Sequence, residues 1–176
     1  MPFTEIKYQG VHQDENGYLW PGIATNILRN SRNPMTYYGN DGAWDSGSWS
    51  IRSGGNGTGA ACSGINADLD GIAILNNTSG NRDVYQKSFP YTPNATYTAS
   101  FYAKMADSCT KTSITAQLRI WNDTTGNQVS NAKATKTLSS KTDWVLISLG
   151  FTAPSSGILS FMAGIAGAGA IDMCAF

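Results

Sequence analysis

Gln117, Arg119 and Trp121 stand at alternate positions in the run ITAQLRIWN, with Thr115 in the same phase. Side chains of an extended chain alternate between faces, so these four share one side while Ile114, Ala116, Leu118 and Ile120 share the other. The polar side combines an aromatic plate with amide and guanidinium groups. That mixture suits a hydroxyl-rich ligand, because a sugar ring lays its C–H face on an indole or phenol and its hydroxyl rim hydrogen-bonds the polar groups. Aromatic side chains and arginine are also enriched in protein interfaces, so the pattern fits either a sugar or a subunit contact.

A second alternating run, TYTASFYAKM, puts Tyr97, Ala99, Phe101, Ala103 and Met105 on an apolar face and Thr98, Ser100, Tyr102 and Lys104 on a polar one. If the two runs pair as a hairpin, Tyr102 and Lys104 join Gln117, Arg119 and Trp121 on one surface. Trp44 and Trp49 lie in a Gly/Ser/Asn/Asp-rich stretch, WDSGSW, where large apolar side chains require either a ligand or a packing partner.

Catalytic patterns are missing. His12, the single histidine, sits near the N-terminus, away from any serine or cysteine in a nucleophile context. The two glutamates, Glu5 and Glu15, occupy the same segment, so a glycosidase would have to rely on aspartates such as Asp68 and Asp70. The SGGNGTG run lacks the Lys-Ser/Thr of a phosphate-binding loop. A non-enzymatic protein is expected.

The elements that must hold these residues are strands. Runs of alternating or apolar residues fall at about 23–30, 48–52, 72–76, 82–89, 96–105, 112–121, 133–138, 143–151, 158–165 and 170–175, separated by turn sequences such as NNTSGN, PYTPN, NDTTGN and APSSG. No segment sustains a helical period. The spacing predicts an all-β jelly-roll sandwich of two antiparallel sheets over residues 23–176, with YQKSFPYTPNATYTASFYAK folding as a hairpin about its Pro-Asn turn. Trp144, ahead of the alternation VLISLGF, is expected in the core. Residues 1–22 differ from the rest, and Pro21-Gly22 closes them. They suggest an extended arm or small hairpin whose Tyr8, Tyr18 and Trp20 anchor a partner subunit, or else an edge strand on the same domain.

Several of these runs carry a resemblance. Tyr85, Gln86, Pro93, Tyr97, Thr98, Ser100, Phe101, Tyr102, Ala103 and Lys104, then Trp144, Phe151, Thr152 and Asp172, with Asn26, Ile27, Leu28 and Asn30 at the start, resemble the jelly-roll carbohydrate-binding modules of xylanases and laminarinases. Copies of that fold also occur on phage tail and capsid proteins. The resemblance implies a glycan cleft that includes Gln86 in preference to Tyr85. It also implies a structural calcium at Asp172, although the acidic residue the family often carries after its first strand is missing from NSRNPMTYYGN. No other cofactor is implied.

Composition narrows the setting. Charged residues make up 14% of the 176, against roughly 25% in an average protein, and Gly numbers 19, as turn-rich β proteins require. Lys+Arg and Asp+Glu are each 12, without a basic cluster, which excludes nucleic acid as a partner. No apolar run is long enough to cross a bilayer, and MPFTEIKYQG lacks the features of a signal peptide. These features fit an accessory virion protein made in the host cytoplasm (capsid decoration, fibre or tail component) that joins other subunits through its arm, forms homo-oligomers and binds surface polysaccharide. A glycan-binding module cut from a secreted, extracellular polysaccharide-degrading enzyme is the alternative. Three cysteines, Cys62, Cys109 and Cys174, imply neither a zinc site nor a full disulfide set; Cys62 and Cys109 are expected in loops.

Overall fold

A computed structural model describes residues 7–13, 19–25, 28, 49–51, 57–65 and 70–176. The described residues form twelve strands: β1 (Lys7–Gln13), β2 (Leu19–Thr25), β3 (Trp49–Ile51), β4 (Gly57–Ser63), β5 (Asp70–Asn76), β6 (Asn81–Lys87), β7 (Thr96–Met105), β8 (Ile114–Asn122), β9 (Asn127–Leu138), β10 (Val145–Thr152), β11 (Leu159–Ala166) and β12 (Gly169–Cys174). They build a β1-β2 pair and two five-stranded sheets. The first sheet has the order β3-β6-β11-β8-β9 and the second β10-β7-β12-β5-β4. All pairings are antiparallel, so the jelly-roll sandwich expected from the strand spacing is the observed fold.

Alternation explains the core. In β7, Ala99, Phe101, Ala103 and Met105 point inward, and Ile147, Leu149 and Phe151 of β10 meet them from the neighbouring strand. From the first sheet, Leu118 and Ile120 of β8 and Phe161, Ala163 and Ile165 of β11 complete the layer. Trp49 is wholly buried here, its ring 5.9 Å from Phe161 and 4.6 Å from Phe176. The expectation of a ligand-binding Trp49 is therefore corrected: β3 pairs with β6 at the sheet edge and turns the indole inward.

Two expected hairpins are also corrected. β6 lies in the first sheet and β7 in the second, so the Pro-Asn turn carries the chain from one sheet to the other instead of joining neighbours. Asn94 in that turn has φ 61°, a conformation asparagine tolerates well. Nor do β7 and β8 pair: β7 lies between β10 and β12, whereas β8 lies between β11 and β9. The Gly-rich stretch GTGAACS, expected as part of a loop, forms edge strand β4, with Cys62 inside it. Pro21 and Gly22, expected to end a segment, sit within β2, where Pro21 faces Val11 of β1. Trp144 is half-buried outside the core, with the Lys104 ammonium 5.6 Å from its ring. All three cysteines are free.

Candidate ligand-binding face

Strand register assembles the outward side of the first sheet into three rows. Asp83, Gly164, Gln117 and Thr135 form one, Tyr85, Met162, Arg119 and Lys133 the next, and Lys87, Ser160, Trp121 and Gln128 the third. Inward residues Val84, Ala163, Phe161, Leu118 and Ile120 separate them along the strands. Between the Arg119 and Trp121 rows, β9 supplies Val129 to Ala132 opposite the single residue Ile120, and Asn131 takes φ 56°. Such an irregularity re-aims side chains at a sheet rim. Ser130 and Asn131 of this stretch are exposed.

The floor of this face is an ionic cluster. Gln117 Nε2 donates to Asp83 Oδ1 at 2.8 Å, and Arg119 Nη2 donates to Asp83 Oδ2 in a salt bridge. Asp83 and Gln117 stand on strands separated by β11, roughly two strand spacings of about 4.8 Å apart, and their side chains meet because Gly164 between them has none. A Cβ at Gly164 would collide with the Arg82 carbonyl and come within 2.7 Å of Asp83 Cα. Asp83 and Gln117 are 1% and 0% exposed and Arg119 8%, so the carboxylate and guanidinium supply the countercharge that each needs when removed from water. Satisfaction is incomplete. Gln117 Oε1 and Arg119 Nε are buried without a hydrogen-bond partner, one acceptor and one donor left over beside the cluster.

Trp121 is the aromatic element at the more open end. Half-buried, it lies with its ring centroid 5.9 Å from the Arg119 guanidinium carbon, within cation–π range. Ser160 Oγ donates to Asp123 Oδ2 at 2.5 Å beside it. A groove of about 620 Å³ begins nearby at Asn122 and Gln128 and continues past Asn131, Thr96 and Thr152, so amide and hydroxyl groups extend away from the indole.

Of the residues expected from the sequence, Gln117, Arg119 and Trp121 come together as their spacing required. Tyr102 does not join them, a correction that follows from β7 belonging to the opposite sheet, where Tyr102 is flanked by Leu146 and Cys174. Gln86 is likewise corrected. It shares the inward phase of Val84, is 1% exposed, and lies between Trp49 and Phe161 in register, while Tyr85 takes the outward place beside Met162. Asp83, Tyr85 and Lys133 are members of the face that spacing alone did not single out. Tyr8 and Trp20 fall in β1 and β2; Tyr18 and Trp44 lie outside the described residues.

Asp172 meets a cation supplied by the chain itself. Its Oδ2 is 3.1 Å from Lys104 Nζ, which also donates to the Lys141 carbonyl at 3.0 Å. The Lys104 ammonium thus supplies a countercharge for Asp172. Among the described residues no group of three His, Cys, Asp or Glu side chains gathers to hold a metal.

Solved structures with this architecture include carbohydrate-binding modules. A family 4 module ("CBM4 structure and function") superposes with a TM-score of 0.59 at 18% identity, covering 84% of this chain and 96% of that one. The Clostridium thermocellum Xyn10B CBM22-1–GH10 modules, complexed with xylohexaose, match with a TM-score of 0.55 at 17% identity over 72% of this chain, which spans 25% of theirs. The enzymatically active domain of bacteriophage CBA120 tailspike protein 4 matches with a TM-score of 0.56 at 14% identity, covering 85% of this chain and 20% of that chain. At these identities the likeness establishes the fold. No family model and no curated protein matches the sequence.

Proposed function

We propose that this chain is a non-catalytic glycan-binding module whose ligand lies on the outward face of the first sheet. One observation carries the reading: register places half-buried Trp121 on the same outward face as exposed Lys133, with Gln128 directly across the ladder, above a floor of Gln117 and Arg119. The half-buried indole of Trp121 supplies a stacking surface, and Gln128 across the ladder from it and exposed Lys133 supply directional bonds. The fold's likeness to a module solved with xylohexaose supports the same ligand class. Among the described residues the carboxylates on this face are engaged within the protein, Asp83 by Arg119 and Gln117 and Asp123 by Ser160.

Titration calorimetry with xylo-, cello- and laminari-oligosaccharides and with bacterial surface polysaccharides tests the reading. Trp121→Ala is expected to weaken binding by roughly tenfold or more, since a buried aromatic anchor carries a large share of such contacts. Wild-type protein without affinity for any member of the panel overturns it.

The setting we favour is an accessory virion component, decorating a capsid, fibre or tail and meeting other subunits through residues 1–22. Likeness to a tailspike domain over 85% of the chain supports it. Likeness to a xylanase-linked module supports the alternative, a domain of a secreted polysaccharide-degrading enzyme. Mass spectrometry of purified particles separates the two: recovery of the chain in assembled virions favours the first, and recovery joined to a hydrolase in culture medium favours the second.

A further inference from the structure

We propose that the glycan is an extended chain of uncharged sugar residues that runs from Trp121 over Gln128 into the groove between β9 and β10. The inference rests on the glycan-binding reading and adds the length and course of the ligand. β9 ends the first sheet and β10 the second, and residues of both line the groove, which therefore lies where two sheet edges meet. Its volume of about 620 Å³ falls within the roughly 300–1,000 Å³ of ligand sites, room for more than a single ring. Among the described residues its lining carries three amides and four hydroxyls and no ionisable side chain, a set that matches the hydroxyl rim of a neutral sugar. Those groups can be reached. Thr96, Ser130, Asn131 and Thr152 are exposed and Gln128 is half-buried, while buried Val129 and Phe151 give an apolar base for the C–H faces of the rings. None of the five polar side chains spends a hydrogen bond within the protein among the described residues. Register supplies the continuity: Gln128 is the cross-strand partner of Trp121 and also lines the groove, so a chain stacked on the indole meets Gln128 next. The irregularity in β9 then presents Ser130 and Asn131, the latter at φ 56°, to the groove. On the β10 side Gly150 leaves space, since a Cβ there would have only the Tyr97 carbonyl as a neighbour, at 4.0 Å.

Calorimetry on the intact chain tests this with disaccharides to hexasaccharides of the xylo-, cello- and laminari- series and with fragments of neutral and acidic bacterial surface polysaccharides. In at least one neutral series the hexasaccharide is expected to bind about tenfold or more tightly than the disaccharide. Gly150→Ile, which puts bulk into the groove where a Cβ has space, is expected to remove most of that gain and leave the affinity of the disaccharide unchanged. Asn131→Gly keeps the left-handed backbone and deletes the amide, and is expected to remove part of the gain. Affinity that does not rise with length overturns the extended course and leaves the glycan-binding reading standing. A rise confined to acidic fragments overturns the uncharged ligand. A gain that persists in both Gly150→Ile and Asn131→Gly overturns the assignment to the β9–β10 groove. Absence of binding to every member of the series overturns this inference and the glycan-binding reading together.

Discussion

Both sheets carry an ion pair on their outward faces, and the two pairs are built differently. On the second sheet, Lys104 and Asp172 are direct cross-strand neighbours, and Lys104 also reaches the Lys141 carbonyl and the Trp144 ring. Its bonding capacity is used within the protein. On the first sheet, Asp83 reaches across Gly164 to both Gln117 and Arg119, and the cluster still leaves one buried donor and one buried acceptor without partners. Buried polar groups are normally satisfied because leaving one unpaired costs about 1–3 kcal/mol. The Lys104–Asp172 pair is exposed enough to act at a surface, whereas the Asp83 cluster is a buried polar floor beneath the outward face.

The largest expected effect is at the centre of the first face. Asp83→Ala strands the Arg119 guanidinium in a buried site and is expected to destabilise the protein by about 3–5 kcal/mol in urea denaturation. Lys104→Ala on the second sheet removes the partner of Asp172, which is 8% exposed, and a smaller loss of about 1–3 kcal/mol is expected. Equal losses in the two variants would erase the contrast between the faces.

Alkaline pH probes the second face separately. Burial, reinforced by the negative charge of Asp172, pushes the Cys62 thiol from 9.0 up to about 12. Between those values the folded state keeps a proton that the unfolded chain releases, so stability is full below pH 9 and declines as pH rises toward 12. Denaturation midpoints at pH 8 and pH 10.5 should show the decline, and Cys62→Ala should lessen it, with burial of the Cys174 thiol keeping the remainder. The smallest expected effect is that of Tyr102→Ala on glycan affinity, which should be nil by calorimetry because Tyr102 lies on the sheet opposite Trp121. A loss matching that of Trp121→Ala would move the binding site to the second sheet.

Where a strand is solvated on one side, its sequence was readable. β7 and β10 alternate apolar and polar residues, and their inward residues are those the alternation selects. β6 offered no such guide. NRDVYQK is buried on both sides along most of its length, so its period carries no facing signal, and the resemblance chosen in its place favoured Gln86 over Tyr85. β4 escaped notice because GTGAACS lacks the branched and aromatic residues that mark a strand. Trp49 looked like a loop aromatic because nothing in WDSGSW shows that β6 will pair with it.

By itself the sequence determined that the chain is all-β, which residues of β8 share a side, and that Arg119 and Trp121 stand two apart on it. Tertiary structure decided the rest: that β7 and β8 part to opposite sheets, that Asp83 and Tyr85 come to face Gln117 and Arg119 across β11, and that Lys104 answers Asp172. The reason is geometric. A period of two specifies the face on which a side chain emerges, but the neighbouring strand is chosen by long-range pairing, and in a jelly roll successive strands often cross to the other layer.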